Sequence, residues 1–137
     1  MVIILSAGEL SAQDNNILNR ISTAERSDGK GYVVRFHLEQ KVDSFKVIQS
    51  RTDLIQMTIY ENQIASNSVQ YDTTTAVYDE IGLFDLPFGM GVDLYLPSEQ
   101  YYLAEAYHDK HSEDLLLGLT ETGREEVEFL AEDIDPV

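Results

Sequence analysis

The chain of 137 residues contains no cysteine and no tryptophan, and only nine of its residues are lysine or arginine. Without cysteine it forms no disulfide, thiolate metal site or iron–sulfur cluster, and it has no cysteine nucleophile. The 25 acidic residues give a formal net charge of −16. Nucleic-acid binding needs clustered basic side chains that neutralise phosphates, so this charge argues against a nucleic-acid partner. No apolar run approaches the roughly 20 residues of a membrane-spanning helix, so no transmembrane segment is expected.

The acidic balance has three explanations that the residues alone leave open. Self-repulsion between like charges favours solubility, carboxylates bind divalent cations, and an acidic surface attracts a basic partner. Since many exported domains lack cysteine, its absence does not decide the compartment.

The N-terminal residues have features of the end of a secretory signal. Met1–Leu5 is apolar, and Ser11-Ala12-Gln13 precedes a polar segment, which is typical of cleavage after Ala12. No basic residue precedes Arg20, so an ordinary first strand or a flexible N-terminus stays open as an alternative. We expect residues 1–13 to be such a remnant or flexible end, and the protein to be exported to the periplasm or cell surface.

Apolar and polar residues alternate along successive short segments, most clearly in Tyr32–Leu38 and Leu54–Tyr60. A period of two is typical of strands with one face in a core and one in water. Turn residues separate these segments at intervals of about ten residues, which predicts an all-β, antiparallel β-sandwich of about eight or nine short strands. The predicted strands are Ile17–Glu25, Tyr32–Leu38, Ser44–Ser50, Leu54–Tyr60, Thr73–Tyr78, Asp79–Asp85, Gly91–Leu96, Tyr101–Tyr107 and Asp114–Leu119.

The sandwich domain is expected to cover residues 14–120, with an acidic tail at 121–137. In the first strand, alternation places Ile17, Asn19, Ile21 and Thr23 on one side. In the tail, Val127, Leu130 and Ala131 have helical spacing, which allows one short amphipathic helix; the alternative is a mobile acidic end.

Two groups of residues carry candidate chemistry. His108, Asp109, His111 and Glu113 contain metal-ligand types, but they lie in a predicted turn and lack the spacing of a zinc motif, so no metal site is expected. Asp79, Glu80, Asp85 and Asp93 are carboxylates of the kind that glycosidases pair, although sequence does not show which of them meet. We expect no catalytic residues and no cofactor, with a small carboxylate enzyme as an alternative that requires a deep pocket.

A possible binding surface comes from the outward positions of the second and fourth predicted strands. These positions hold Arg35, His37, Gln56, Thr58 and Tyr60. If the two strands are neighbours, the residues form one polar and aromatic surface suited to glycans, through hydrogen bonds and ring stacking.

Three segments share features with one known family. Gly31–Leu38 is a strand with an arginine inside the apolar alternation, Phe45–Ile59 is a hairpin with Arg51 in its turn, and Gly91–Leu96 begins a second half. In these features the chain resembles the AMIN (amidase N-terminal) domain family, over about residues 17–119. The resemblance implies a non-catalytic β-sandwich of the bacterial envelope that binds peptidoglycan or an envelope protein, with Arg35 and Arg51 as contact residues.

The expected function is therefore a cell-envelope binding or targeting module whose site comprises Arg35, His37, Arg51, Gln56, Thr58 and Tyr60. On this hypothesis, replacing Arg35 and Tyr60 with alanine weakens cell-wall binding without lowering the melting temperature. The alternative is an assembly subunit, a homo-oligomer in which Val2–Leu5 adds a strand to a neighbouring copy.

Overall fold

A computed structural model describes residues 16–60, 64–65, 69–71 and 77–132, which form ten strands and one helix. The elements are β1 (Asn16–Glu25), β2 (Gly31–Leu38), β3 (Ser44–Arg51), β4 (Leu54–Tyr60), β5 (Ile64–Ala65), β6 (Gln70–Tyr71), β7 (Glu80–Leu86), β8 (Gly89–Tyr95), β9 (Tyr102–His108), β10 (Leu115–Glu121) and α1 (Arg124–Glu132). The predicted signal remnant at 1–13 and strand addition by Val2–Leu5 lie outside the described residues, as does most of the predicted strand Thr73–Tyr78.

The strands form two sheets. The six-stranded sheet has the order β5–β1–β2–β10–β9, with β6 also paired to β1, and the four-stranded sheet has the order β3–β4–β8–β7. The long pairs are antiparallel, whereas the two-residue strands β5 and β6 run parallel to β1. The predicted all-β sandwich is confirmed.

The core lies between the inner faces of the two sheets. Phe36 of β2, Leu117 of β10, Met57 of β4 and Leu94 of β8 are among its fully buried side chains. Burying one such side chain contributes about 1.5–3 kcal/mol, so the alternation that predicts these strands also supplies their main stabilisation.

The prediction that alternate residues of β1 share one side is wrong for the first half of the strand. Pairing with β2 shifts register between Leu18 and Arg20, so a β-bulge at this point breaks strict alternation. As a result Leu18 and Ile21 are both fully buried, while Asn19 is exposed. Beyond the bulge alternation returns, and Thr23 is buried on the same side as Ile21.

Hydrogen bonds between side chains and backbone groups link the two sheets along the side where β3 faces β9. Gln49 of β3 donates to the carbonyl of Tyr102 at 2.7 Å and accepts from the amide of Ala104 at 3.0 Å. His108 Nε2 donates to the carbonyl of Val42 at 2.6 Å. Since β9 is the last strand of its sheet, Gln49 occupies the place of a neighbouring strand there.

Helix α1 continues the fold beyond the predicted domain end at residue 120. The helix packs against β3 and β9, and its residue Val127 is fully buried. The predicted helical spacing is thus confirmed for Val127, while Leu130 stays 37% exposed. The helix therefore belongs to the same folded body as the sandwich.

Candidate functional site

The six predicted binding residues lie in three separate places. Arg35 and His37 are on the outer face of the six-stranded sheet, and Gln56, Thr58 and Tyr60 are on the outer face of the four-stranded sheet. Because β2 and β4 belong to different sheets, the condition under which these residues would form one surface is not met. Arg51 lies at the start of the β3–β4 turn, where it pairs with Asp53 at 2.9 Å and is mostly exposed.

Arg35 holds together the connection between β9 and β10. Its Nη1 atom contacts Asp109 Oδ2 at 2.7 Å and Asp114 Oδ2 at 2.9 Å. Asp109 also accepts from the Ser112 hydroxyl at 2.6 Å, and Asp114 accepts from the amide of Leu38 at 3.2 Å. The bond from Ser112 and the one from Arg35 hold the pKa of Asp109 far below its ordinary value. Arg35 is therefore committed to internal partners.

His37 is likewise engaged within the sheet. Its Nε2 atom lies 2.8 Å from the Ser22 hydroxyl, and its Nδ1 atom lies 3.5 Å from Asp114. Burial lowers the pKa of His37, and the nearby arginines lower it further against the opposing pull of Asp114. The ring is therefore neutral at pH 7, and it adds no positive charge to this face.

Replacing Arg35 with leucine is expected to lower the free energy of unfolding by about 1–2 kcal/mol. The loss is smaller than for a fully buried ion pair, because solvent screens part of the attraction between Arg35 and its aspartates. The two aspartates that share its guanidinium would then repel each other. Chemical denaturation checks this, with Arg26→Leu as the control, since Arg26 only forms an exposed pair with Asp28 at 3.3 Å. Equal stability of the two variants would contradict the role given to Arg35.

The same variant makes a pH prediction. Because the folded-state pKa of Asp109 lies below its ordinary value of 3.8, its contribution to stability is present above that pH and is lost as pH falls below it. The difference in unfolding free energy between wild type and Arg35→Leu should therefore shrink below about pH 4. A difference that stays constant down to lower pH would show that Arg35 does not stabilise the charged form of Asp109.

Exposed aromatic rings gather on the outer face of the four-stranded sheet. Tyr60 ends β4, Phe84 lies in β7, and Phe88 forms part of the two-residue turn between β7 and β8. Their exposures are 38%, 43% and 50%, and Tyr60 stacks on Phe88 with ring centroids 5.7 Å apart and an interplanar angle of 24°. We call Tyr60, Phe84 and Phe88 the aromatic face.

A glycine beneath Phe84 explains why this ring lies against the sheet. Gly91 is the cross-strand partner of Phe84, and a Cβ atom at Gly91 would lie 2.3 Å from Phe84 Cε2. The ring of Phe84 therefore rests on the backbone of Gly91 and has its other side towards solvent. In this position the ring shields the backbone of Gly91 from water. Gly89 lies between Tyr60 and Leu86 in the adjacent row.

Polar groups border the aromatic face. Thr58 lies between Lys46 and Gly91 in the row that contains Phe84. Gln56 lies beside Asp93, and its Nε2 atom donates to Asp93 Oδ1 at 3.3 Å. The surface thus combines flat apolar rings with hydroxyl, amide and carboxylate groups at its margin, which suits a ligand that has an apolar face and a polar edge.

Sequence reasoning found Tyr60 and missed Phe84 and Phe88. The predicted strands end at Asp85 and resume at Gly91, whereas the turn is only Pro87–Phe88 and Gly89 begins β8. The available signal was that Gly89 and Gly91 alternate with the apolar Met90 and Val92. Outward glycines on a strand leave room for a ring from the neighbouring strand.

The outer face of the six-stranded sheet has a smaller apolar groove of about 280 Å³. Val33 and Leu116 contribute to it, and the ring of Tyr107 covers Gly118 beside it. Its two arginines, Arg26 and Arg35, are both paired with aspartates. Since both guanidinium groups are already paired within the protein, we regard the groove as the weaker candidate.

The other candidate groups do not come together as a metal site within the described residues. No group of three or more histidine and acidic side chains is placed there to hold a metal ion. Asp79, Glu80, Asp85 and Asp93 do not line the groove on the six-stranded sheet, nor the two clefts beside Tyr101 at the end of the sandwich. Among the described helical residues, no helix has the length and apolar character needed to cross a membrane.

No protein-family model matches this chain, and no curated protein or solved structure matches it either. The resemblance to the AMIN family therefore stays a prediction.

Proposed function

We propose that this protein is a non-catalytic binding module of the cell envelope, which holds glycan strands of peptidoglycan on the aromatic face. The observation that carries the proposal is the group of exposed rings on one sheet face, in which Phe84 lies over the backbone of Gly91 and Tyr60 stacks on Phe88. Rings that neighbouring residues already hold in place offer a site that needs little rearrangement on binding.

The chemistry of a sugar chain fits such a surface. A pyranose ring presents C–H groups on its face and hydroxyl groups around its edge. The C–H face packs on the rings of Phe84 and of the Tyr60–Phe88 stack, and the hydroxyls reach the side chains of Thr58 and Gln56. An uncharged glycan backbone also avoids repulsion from the net charge of −16.

The envelope location rests on the resemblance to the AMIN family, whose members bind peptidoglycan or partners associated with it. Of the six residues predicted from sequence, the proposed site keeps Gln56, Thr58 and Tyr60. It adds Phe84 and Phe88, and it leaves out Arg35, His37 and Arg51. The periplasm or cell surface remains the proposed location.

A pull-down with purified peptidoglycan sacculi tests the proposal. Replacing Tyr60 and Phe88 together with alanine is expected to weaken binding by at least about tenfold, since each stacked ring contributes about 1 kcal/mol. Gly91→Ala, which pushes the Phe84 ring off the sheet, should weaken binding as well. Both rings of the double variant are exposed, so its melting temperature should change little.

Phe129→Ala is the matched control, because Phe129 is 67% exposed on α1, away from the aromatic face. It should bind sacculi as the wild type does. Binding that survives loss of Tyr60 and Phe88 would reject the aromatic face as the site. If the wild type binds chitin or cellulose and not sacculi, the envelope ligand is wrong while the glycan site stands.

A further inference from the structure

A second cleft lies at the end of the sandwich where β2 and β9 begin and β10 ends. It has a volume of about 460 Å³. Pairing of Tyr102 with Glu121, and of Tyr32 with Leu119, brings these strand ends side by side. We call it the tyrosine cleft; its described lining is Tyr32, Glu99, Gln100, Tyr101, Tyr102, Glu121 and Thr122.

The walls of the tyrosine cleft are fixed by hydrogen bonds. The amide of Thr122 donates to the carbonyl of Tyr101 at 3.0 Å, and Gln49 from the opposite sheet holds the carbonyl of Tyr102 at 2.7 Å. The rings of Tyr32 and Tyr102 meet edge to face, with centroids 6.3 Å apart. The cleft is thus formed before any ligand arrives.

Glu99 at the edge of the cleft has an unfavourable backbone conformation. Its φ of 63° is in the left-handed region, which residues with a Cβ atom seldom occupy. Such strain persists only where the surrounding structure imposes it, and it often occurs at ligand sites. Here it places a carboxylate between two clefts, since Glu99 also lines the neighbouring one.

The charges around the tyrosine cleft favour a cation. Its described lining contains two carboxylates, Glu99 and Glu121, and no lysine or arginine. Arg51 and Arg124 line the neighbouring cleft, but they are paired with Asp53 at 2.9 Å and Glu128 at 3.3 Å. Burial is the main cause that raises the pKa of Tyr102, followed by the neighbouring Tyr32 and the charge of Glu121.

We propose that the tyrosine cleft binds an organic ammonium group. Aromatic rings attract weakly hydrated cations through their electron-rich faces, and a nearby carboxylate adds direct attraction. The partly exposed rings of Tyr32 and Tyr101, together with two acidic groups, supply both. The described lining of the cleft lacks the dense oxygen ligands that a calcium or magnesium ion needs. A cationic ligand of this kind also agrees with the acidic composition, for which a basic partner is one of the three explanations.

Amide NMR spectra of the full chain, titrated with choline and with an N-acetyl-lysine amide, test the proposal. Amide shifts are expected at Gln100, Tyr102 and Thr122. The affinity for the uncharged carbon isostere of choline should be at least about fivefold lower than that for choline, which corresponds to about 1 kcal/mol. Preference for choline would indicate a small-molecule ligand, and preference for the lysine amide would indicate a side chain of a partner protein. Equal binding of the uncharged isostere, or no shifts at the cleft, would overturn the proposal.

Two variants localise the effect. Glu121→Gln removes one charge inside the cleft and Tyr101→Leu removes one ring, and each should weaken ammonium binding several-fold. Glu39→Gln removes the same charge from an exposed position elsewhere and should leave binding unchanged. If Glu39→Gln weakens binding as much as Glu121→Gln, the attraction is a general effect of net charge and the site is wrong. Sacculus binding should be the same in all three variants, so the two proposals fail separately.

Discussion

Replacing Gly31 with alanine is expected to prevent folding. Gly31 opens β2 with a φ of 149°, and a Cβ atom there would lie 1.9 Å from the carbonyl oxygen of Leu119. That oxygen belongs to the backbone of β10, which is paired on both sides, so neither strand can move without breaking the sheet. A loss of more than about 4 kcal/mol is expected, which is a large part of the stability of an ordinary domain.

Gly29→Ala in the same turn is the control for this prediction. Gly29 has a φ of 72°, but no atom lies within 4 Å of the position that its Cβ would take. Only the left-handed conformation is then penalised, at a cost of about 1 kcal/mol. Circular dichroism and urea denaturation measure both variants. Equal stability of the two would show that β2 and β10 do not approach each other at Gly31 as described.

Gln49→Ala is expected to lower the free energy of unfolding by about 2–4 kcal/mol. The change leaves the carbonyl of Tyr102 and the amide of Ala104 without their side-chain partner, and each unsatisfied buried group costs about 1–3 kcal/mol. Gln49 is only 6% exposed, so the two backbone groups that it contacts are shielded from solvent. Denaturant unfolding, together with faster hydrogen exchange at Ala104, checks the prediction.

Gln56→Ala provides the comparison for Gln49. Gln56 lies on the outer face and makes only long contacts, at 3.5 Å to Ser50 and 3.3 Å to Asp93. Its loss should cost less than about 0.5 kcal/mol, as is usual for surface substitutions. If Gln49→Ala were equally mild, the link between β3 and β9 would not stabilise the sandwich.

Much of the fold follows from local pattern. Alternation in Leu54–Tyr60 predicts both the strand and its inner residues, because a period of two specifies which side chains face the core. The same pattern does not specify which sheet a strand joins, so it could not show that β2 and β4 lie in opposite sheets. The bulge after Leu18 was missed because one extra residue leaves no mark in the composition of β1.

The sites were harder to predict than the strands because they depend on distant pairs. The outward position of Arg35 follows from alternation, but its partners Asp109 and Asp114 lie more than 70 residues away in sequence. Phe84 acquires its orientation from Gly91 on the next strand, and the tyrosine cleft joins Tyr32 to residues near 100 and 121. Strand pairing, which sequence alone did not fix, creates each of these arrangements.

An NMR titration with a soluble peptidoglycan fragment tests the glycan-binding proposal most directly. Amide shifts are expected at Thr58, Tyr60, Phe84, Phe88 and Gly91, and they should disappear when Tyr60 and Phe88 are replaced with alanine. Shifts confined to the opposite sheet, around Arg35 and Tyr107, or a spectrum unchanged by the fragment, would contradict the account.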